Sequence, residues 1–308
     1  GRIWVLDMGN WMPHVGQLIE LRLPPDSATA ANANTTAKAV EARVLLSRLN
    51  YPSGMVRGPD GKIYIGEADK IWRAAVPALG QPPQPEMLAS GLPADGAHLL
   101  KELAFAPDGS LYVNMGSATD ACRGEDQKQP VPCPERSTAM PRAAVWRMVL
   151  QAGKQPVKEF KTFASGLRNS MALAVMPDGP AAGTVWQGEN NIDYRDPKQP
   201  PEELNLLRAG ADYGWPYCTD MGRFDPAFAP GDCSRYTKPE RLLPAHSAPL
   251  GMAFYTHADA PAAWRGSLVI ALHGYRSLGH RIVAYRFDKS GQPARNVEVL
   301  VDGWQIGR

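Results

Sequence analysis

His98 falls in "DGAHLLKELAFAPDG" (95–109), just ahead of an alternating apolar run. Arg168 and Asn169 fall in "GLRNSMALAVMPDG" (166–179), ahead of another such run. An imidazole beside a fixed guanidinium is equipped to remove a proton while negative charge builds up nearby. Taken singly, a loop histidine is more often structural, and a charged pair at a strand mouth can simply be hydrated. The chemistry requires two strand entries, 70 residues apart, to meet.

Two further groups carry chemical potential. In "GENNIDYRDPKQPPEELNLLRAGADYGWPYC" (188–218), Asn190, Asn191, Asp193, Asp196, Glu202 and Glu203 offer hard oxygen ligands within one loop. That composition suits Ca²⁺, although the spacing is not that of an EF-hand, and a polar loop with helix or turn caps accounts for it equally well. In "IALHGYRSLGHR" (270–281), His273, Tyr275 and Arg276 stand just past a strand end. With His98 and Arg168 they form a basic set able to hold a small polyanion; a solvated hairpin tip is the plainer reading.

The elements that must position these groups recur along the chain. The unit is a Pro-Asp-Gly turn, a strand of alternating aliphatic and aromatic residues, then a second strand bearing Trp or Tyr. "GPDGKIYIGE" (58–67) precedes "KIWRAAV" (70–76), and "APDGSLYVNMG" (106–116) precedes "AVWRMVL" (144–150). "MPDGPAAGTVWQGE" (176–189) leads to "ELNLLRAG" (203–210), and "RGSLVIALHG" (265–274) to "RIVAYRF" (281–287). "GRIWVLDMG" (1–9) with "GQLIELRL" (16–23) fits the same scheme. Asp-Gly supplies the tight turn and period-2 alternation the half-buried strand.

Three or four antiparallel strands repeated in this way predict an all-β chain, a six-bladed β-propeller forming one domain over residues 1–308. A stacked two-sheet sandwich is the rival for short strands of this kind. Five units are visible; a sixth Pro-Asp-Gly hairpin is expected near "VDGWQIGR", or closure through the N-terminal strand. Gly1 begins inside a strand-like run, so an upstream segment is expected as well. In a propeller, strand entries from successive blades converge on the central channel, which would carry His98 and Arg168-Asn169 to one pocket. Long insertions at 24–42, 117–142, 190–202 and 217–248 read as structureless loops; the first is of low complexity, and the others fit the rim of a binding face.

Composition narrows the function. With 29 Gly and 29 Pro among 308 residues, many short elements joined by turns are favoured over long helices. A net charge of +2 with no Lys/Arg block argues against nucleic acid as main partner. No apolar run reaches the roughly 18–20 residues of a membrane span. Cys122 with Cys133 and Cys218 with Cys233 bracket Pro/Gly/Asp-rich loops and lack Cys-x-x-Cys spacing. Two loop-clamping disulfides, in a periplasmic or secreted protein, fit this pattern; free thiols remain the alternative. Neither a Rossmann glycine pattern, a Gly-x-Ser-x-Gly elbow, a His-Glu-x-x-His nor a Cys-x-x-Cys-His is present.

At these residues the sequence resembles the PQQ-dependent soluble sugar dehydrogenases, the glucose/L-sorbosone dehydrogenase family of six-bladed propellers, and most closely their sorbosone-dehydrogenase-like branch. The resemblance runs from "LNYPSGMVRGPDGKIYIGE" to the last line, through the His ahead of Pro-Asp-Gly, "GLRN", "PPEELNLLRAGADYGWPYC" and "ALHG". It implies oxidation of an aldose sugar or related aldehyde by hydride transfer to PQQ. His98 would be the general base, Arg168 the cation that stabilises developing charge, and Asn169 a PQQ contact. Ca²⁺ would be held around Asn190, Asn191, Ile192 and Asp193, partly through backbone carbonyls. His273 falls where relatives often carry a PQQ-binding lysine, Arg276 lies beside it, and Arg308 matches the first of a late pair of PQQ-binding arginines. Some relatives carry an acid where Ala97 stands. Having no haem motif, the chain would pass electrons to an external cytochrome c or quinone. A Ca²⁺-dependent, lactonase-like propeller hydrolase and a non-catalytic binding propeller are the alternatives; neither calls for Arg168 or His273.

Overall fold

The computed structural model describes residues 1–23, 40–123, 130–225, 227–228, 231–274 and 278–304. Among these the chain is strand and turn, with one 3₁₀ turn at Pro134–Arg136. Among the described residues no helix is long and apolar enough to cross a membrane. Contacts divide it into two compact units, Gly1–Leu92 and Pro93–Arg308.

The first unit holds two antiparallel sheets. One joins β1 (Arg2–Asp7), β2 (Gly16–Arg22) and β3 (Glu41–Leu49); the other joins β4 (Gly54–Arg57), β5 (Ile63–Glu67), β6 (Lys70–Ala74) and β7 (Glu86–Ser90). Leu18, Leu45, Leu49, Ile65 and Trp72 form the core of this unit. The alternation that marked "GQLIELRL" as a strand is thus the alternation that buries Leu18.

The second unit holds three sheets of four strands. They are β8 (Leu103–Phe105), β9 (Leu111–Met115), β10 (Ala144–Leu150) and β11 (Val157–Ser165); then β12 (Ala172–Val175), β13 (Val185–Glu189), β14 (Glu202–Leu207) and β17 (Arg241–Leu243); then β18 (Pro249–Phe254), β19 (Leu268–Leu272), β20 (Arg281–Tyr285) and β21 (Glu298–Val301). A small hairpin, β15 (Cys218–Thr219) with β16 (Arg223–Phe224), stands apart from them. The first strands of the three sheets lie side by side, β12 between β8 and β18. Tyr112, Val145, Leu173 and Val185 fill one inter-sheet layer, and Trp186, Leu204, Ile270 and Tyr285 fill the next.

The repeating turn works as its residues dictate. In Pro-Asp-Gly 59–61 and 107–109 the Asp carboxylate accepts the N–H two residues on, from Lys62 at 3.1 Å and Ser110 at 2.9 Å. Gly61 and Gly109 then take φ of +76° and +81°, a left-handed conformation that a side chain disfavours.

Five blade-like sheets are therefore described where the sequence predicts six; the expected site of the sixth hairpin runs into residues 305–308, outside the described residues. Two loops read as structureless carry short elements. The 117–142 insertion contains the 3₁₀ turn, and the 217–248 insertion contains β15, β16 and β17, the last completing a sheet. Two- and three-residue strands leave too short a pattern to read. Both disulfides form, Cys122–Cys133 and Cys218–Cys233. Of the low-complexity 24–42 insertion, residues 24–39 lie outside the described residues.

Trp186 is fully buried and meets Phe287 edge-on at 5.0 Å. Trp186→Ala is expected to lower unfolding free energy by about 3–5 kcal/mol in urea titrations; a loss below about 1 kcal/mol would show that this layer does not carry the core.

Candidate active site

Three loops, each leading into the first strand of a sheet, supply His98 before β8, Arg168 before β12 and His246 before β18. Because β8, β12 and β18 lie side by side, these entries come together. Ser117, two residues past the end of β9, ties the first two. Its backbone N–H donates to the Arg168 carbonyl at 2.8 Å, while its carbonyl and hydroxyl lie 3.0 and 2.8 Å from His98 Nδ1.

Those contacts fix the His98 tautomer. The Ser117 carbonyl can only accept, and the Ser117 hydroxyl gives its proton to the Thr119 carbonyl at 2.6 Å. Nδ1 is therefore the protonated nitrogen, and Nε2 keeps its lone pair, with no protein partner among the described residues. Burial, followed by the charge of Arg168, lowers the pKa of His98 to about 4, against an opposing pull from the Ser117 backbone and Asp120. At neutral pH the ring is an uncharged base with one nitrogen free.

Arg168 is almost wholly buried and heavily committed. Nε donates to the Asp120 carbonyl at 3.1 Å and Nη1 to the Asn190 carbonyl at 2.8 Å. Nη2 faces the Asp120 carboxylate at 2.7 Å and that of Asp193 at 3.3 Å. One cation between two carboxylates leaves one negative charge in excess. Asp193 also lies 3.8 Å from His246 Nδ1, and His246 Nε2 sits 2.8 Å from the Asp196 carbonyl.

Beneath this layer three buried glutamates gather backbone N–H groups. Glu189 accepts from Asn169 at 2.9 Å, Glu202 from Asn191 at 2.6 Å and Ala248 at 3.2 Å, and Glu203 from Asp220 at 2.7 Å. Glu189 and Glu203 face one another across β13 and β14. Burial raises all three pKa values to about 8 in the free chain. In the first unit Glu67, at the end of β5, takes the Asn50 N–H at 2.6 Å in the same manner. The Gly-Glu pair closing a second strand is thus a framework device.

The structure brings His98, Arg168, Asn169, Asn190 and Asp193 into one bonded group. The Asn169 backbone is held by Glu189 and Asn190, and its side-chain amide has no protein partner among the described residues. His273 joins through its backbone, donating to the Ala248 carbonyl at 2.9 Å, with its ring exposed and stacked on His280. The Asn190 and Asn191 side chains are turned to the framework, Asn190 to the Pro249 carbonyl at 2.8 Å and Asn191 to the Pro201 carbonyl at 3.1 Å. Ile192 is buried against Trp215 and the Cys122–Cys133 bridge. Arg276 and Arg308 lie outside the described residues.

Of the residues selected for a metal, the Asn190 carbonyl is occupied by Arg168, whereas the Asp193 carboxylate is more than half exposed. Asp120, also partly exposed, stands beside it. The donor types fit a hard cation at Asp120 and Asp193, and an organic anion at His98, Arg168 and Asn169. Among the described residues the one tight cluster of potential ligands is Cys122, Cys133 and Glu135, whose sulfurs are consumed in a disulfide.

Sequence reasoning did not select Ser117, Asp120 or His246. His246 carried a usable signal, since it precedes its strand as Arg168 does. Asp120 carried none, because the bond it makes spans 48 residues.

An NMR titration of His98 in the cofactor-free chain should give a pKa near 4 and the Nδ1–H tautomer. Since folding lowers this pKa, His98 should withdraw stability as pH falls below about 6.5, increasingly down to about 4. Titration near 6.5 would contradict the buried, cation-flanked placement.

The profile of the family described as glucose/sorbosone dehydrogenase matches residues 84–305. Similar solved structures include the calcium structure of a Trichoderma reesei carbohydrate-active enzyme of family AA12, 19% identical with a TM-score of 0.74, covering 99% of this chain and 81% of that one. The holo PQQ domain of pyranose dehydrogenase from Coprinopsis cinerea is 18% identical with a TM-score of 0.63, over 97% and 76% of the two chains. The PQQ-bound aldose sugar dehydrogenase of Streptomyces coelicolor is 18% identical with a TM-score of 0.58, over 98% and 86%. A curated relative, an uncharacterised protein of Borreliella burgdorferi, is 28% identical over 155 residues, 48% of this chain and only 40% of its own length. The fold is an all-β propeller, and with the family profile matched over most of its length, this chain belongs to the glucose/sorbosone dehydrogenase family.

Proposed function

We propose that this protein is a PQQ- and Ca²⁺-dependent dehydrogenase that oxidises an aldose or a related, sorbosone-like aldehyde. The observation that carries this reading is the Ser117 anchor, which leaves His98 neutral with Nε2 free, beside the buried cation of Arg168. Bound PQQ would supply the two-electron acceptor for the substrate's hydride, and bound Ca²⁺ would polarise it. His98 Nε2 would take the proton of the substrate's anomeric hydroxyl. Arg168 would offset negative charge as it develops, and the free Asn169 amide and the exposed His273 ring would contact the quinone's polar edge. Asp193 and Asp120 would hold the cation, with backbone carbonyls near Asn191 and Ile192. Release of Asp120 and Asp193 toward the metal would in turn free Arg168 Nη2 for the anion.

As part of the same reading the chain is a single six-bladed propeller domain, working in the periplasm or outside the cell, where its two disulfides would persist. Electrons would leave to a separate cytochrome c or quinone.

The test is reconstitution of metal-stripped protein with PQQ and Ca²⁺, following dye reduction with a panel of aldoses and aldehydes. Activity needing both additions is expected. Silence with both present, or lactone hydrolysis with Ca²⁺ alone, would overturn the reading. His98→Ala should cut turnover on the order of 10²–10⁴-fold while PQQ binding is retained; unchanged turnover removes His98 from the base role. Arg168→Ala should weaken both PQQ binding and turnover, and wild-type behaviour in both would undo its assignment.

A further inference from the structure

Beside the two disulfides lies a cavity of about 360 Å³, lined among others by Arg136, Arg142, Asp212, Tyr217, Arg235 and Tyr236. A second hollow of about 310 Å³ continues it past Tyr217, Arg235 and Tyr236 to Phe228. The Tyr217 hydroxyl accepts the Cys133 N–H at 2.7 Å, which joins one clamped loop to the other, and Tyr217 meets Phe228 edge-on at 4.9 Å.

Its charges do not balance. Arg136 is paired with Asp212 at 2.5 Å and donates to the Trp215 carbonyl at 2.8 Å. Arg142 is buried and paired with Asp95, which does not line the cavity. Arg235 makes no ion pair among the described residues; it lies exposed over the Tyr236 ring, 4.8 Å from its centroid. Three guanidiniums thus face the combined space against two lining carboxylates, Asp212 and Asp232. One Nη of Arg235 donates to the Tyr236 hydroxyl at 2.6 Å, and its other guanidinium N–H groups are left for a planar anion. The Ser137 and Ser165 hydroxyls suit a ligand's hydroxyl groups, and Tyr217 with Phe228 supplies an apolar wall. Volumes of this order hold a ligand of monosaccharide size.

The geometry points to a second ligand site in this cavity, taking a sugar that carries a carboxylate, with Arg235 as its anion contact. It is separate from the His98 group and does not rest on the dehydrogenase reading. It is nonetheless wired to that group: Arg136 holds the Trp215 carbonyl, the Trp215 indole N–H donates to the Asp120 carbonyl at 3.1 Å, and Asp120 holds Arg168.

The probe is methyl α-D-galactopyranosiduronate, whose blocked anomeric carbon prevents oxidation, titrated calorimetrically into the full chain without PQQ. Saturable binding is expected, with methyl α-D-galactopyranoside and acetate each weaker by about tenfold or more, because each offers only half of the recognition. Arg235→Gln, at an exposed position that leaves the core untouched, should weaken the uronoside about tenfold and leave the neutral glycoside unchanged. His98→Ala should bind the uronoside as the parent does. No saturable binding in the millimolar range, equal binding of acetate, indifference to Arg235→Gln, or loss of binding in His98→Ala would each overturn the proposal.

Discussion

Carboxyl groups buried at the ends of second and third strands hold the candidate site together. Glu189, Glu202 and Glu203 collect N–H groups from Asn169, Asn191, Ala248 and Asp220, four segments remote in sequence. Each N–H belongs to a loop that enters or leaves a strand where no ladder partner exists, and a buried orphan of that kind is costly. Satisfying them from one centre pins the loops to one another. The position of Arg168, one residue from Asn169, and of Asp193, two from Asn191, follows from that pinning.

On this base the site is built from competing charges. Arg168 is deep, permanently charged and matched by two carboxylates that reach it from loops before and after it in sequence. The guanidinium that adds to burial in lowering the His98 pKa is itself screened by Asp120 and Asp193. In the free chain these groups satisfy one another. A cation with an organic anion would exchange partners with them pairwise, so that neither ligand alone meets a fully complementary surface.

Ala121, Cys122, Cys133, Ala143, Ile192 and Trp215 form a small apolar core of their own beneath the bonded group. Trp215 links that core to Asp120 and to Arg136. The cavity beside the disulfides thus shares one support with the His98 group.

Much of the architecture was legible because it is local. Pro-Asp-Gly turns, period-2 alternation and Cys pairs 11 and 15 residues apart each act within a few residues of themselves, so strands β1, β2, β5, β6, β9, β10, β13, β14, β19 and β20 and both disulfides stand where the pattern puts them. The repeat also brought the entries before β8 and β12 together, and with them His98 and Arg168. What the sequence left open is long-range and polar. Asp120 on Arg168, Ser117 between His98 and Arg168, and Tyr217 on Cys133 are bonds across 19 to 84 residues with no periodicity to announce them. Asn190 and Asn191 read as ligands by type, yet their side chains are spent on backbone carbonyls, because a buried amide must be paired wherever the fold leaves it. Sequence alone determined which groups this protein has and roughly which blade carries each. Only the tertiary structure decided which of them hold the framework and which are left free to meet a ligand, since that depends on which partner reaches each polar atom first.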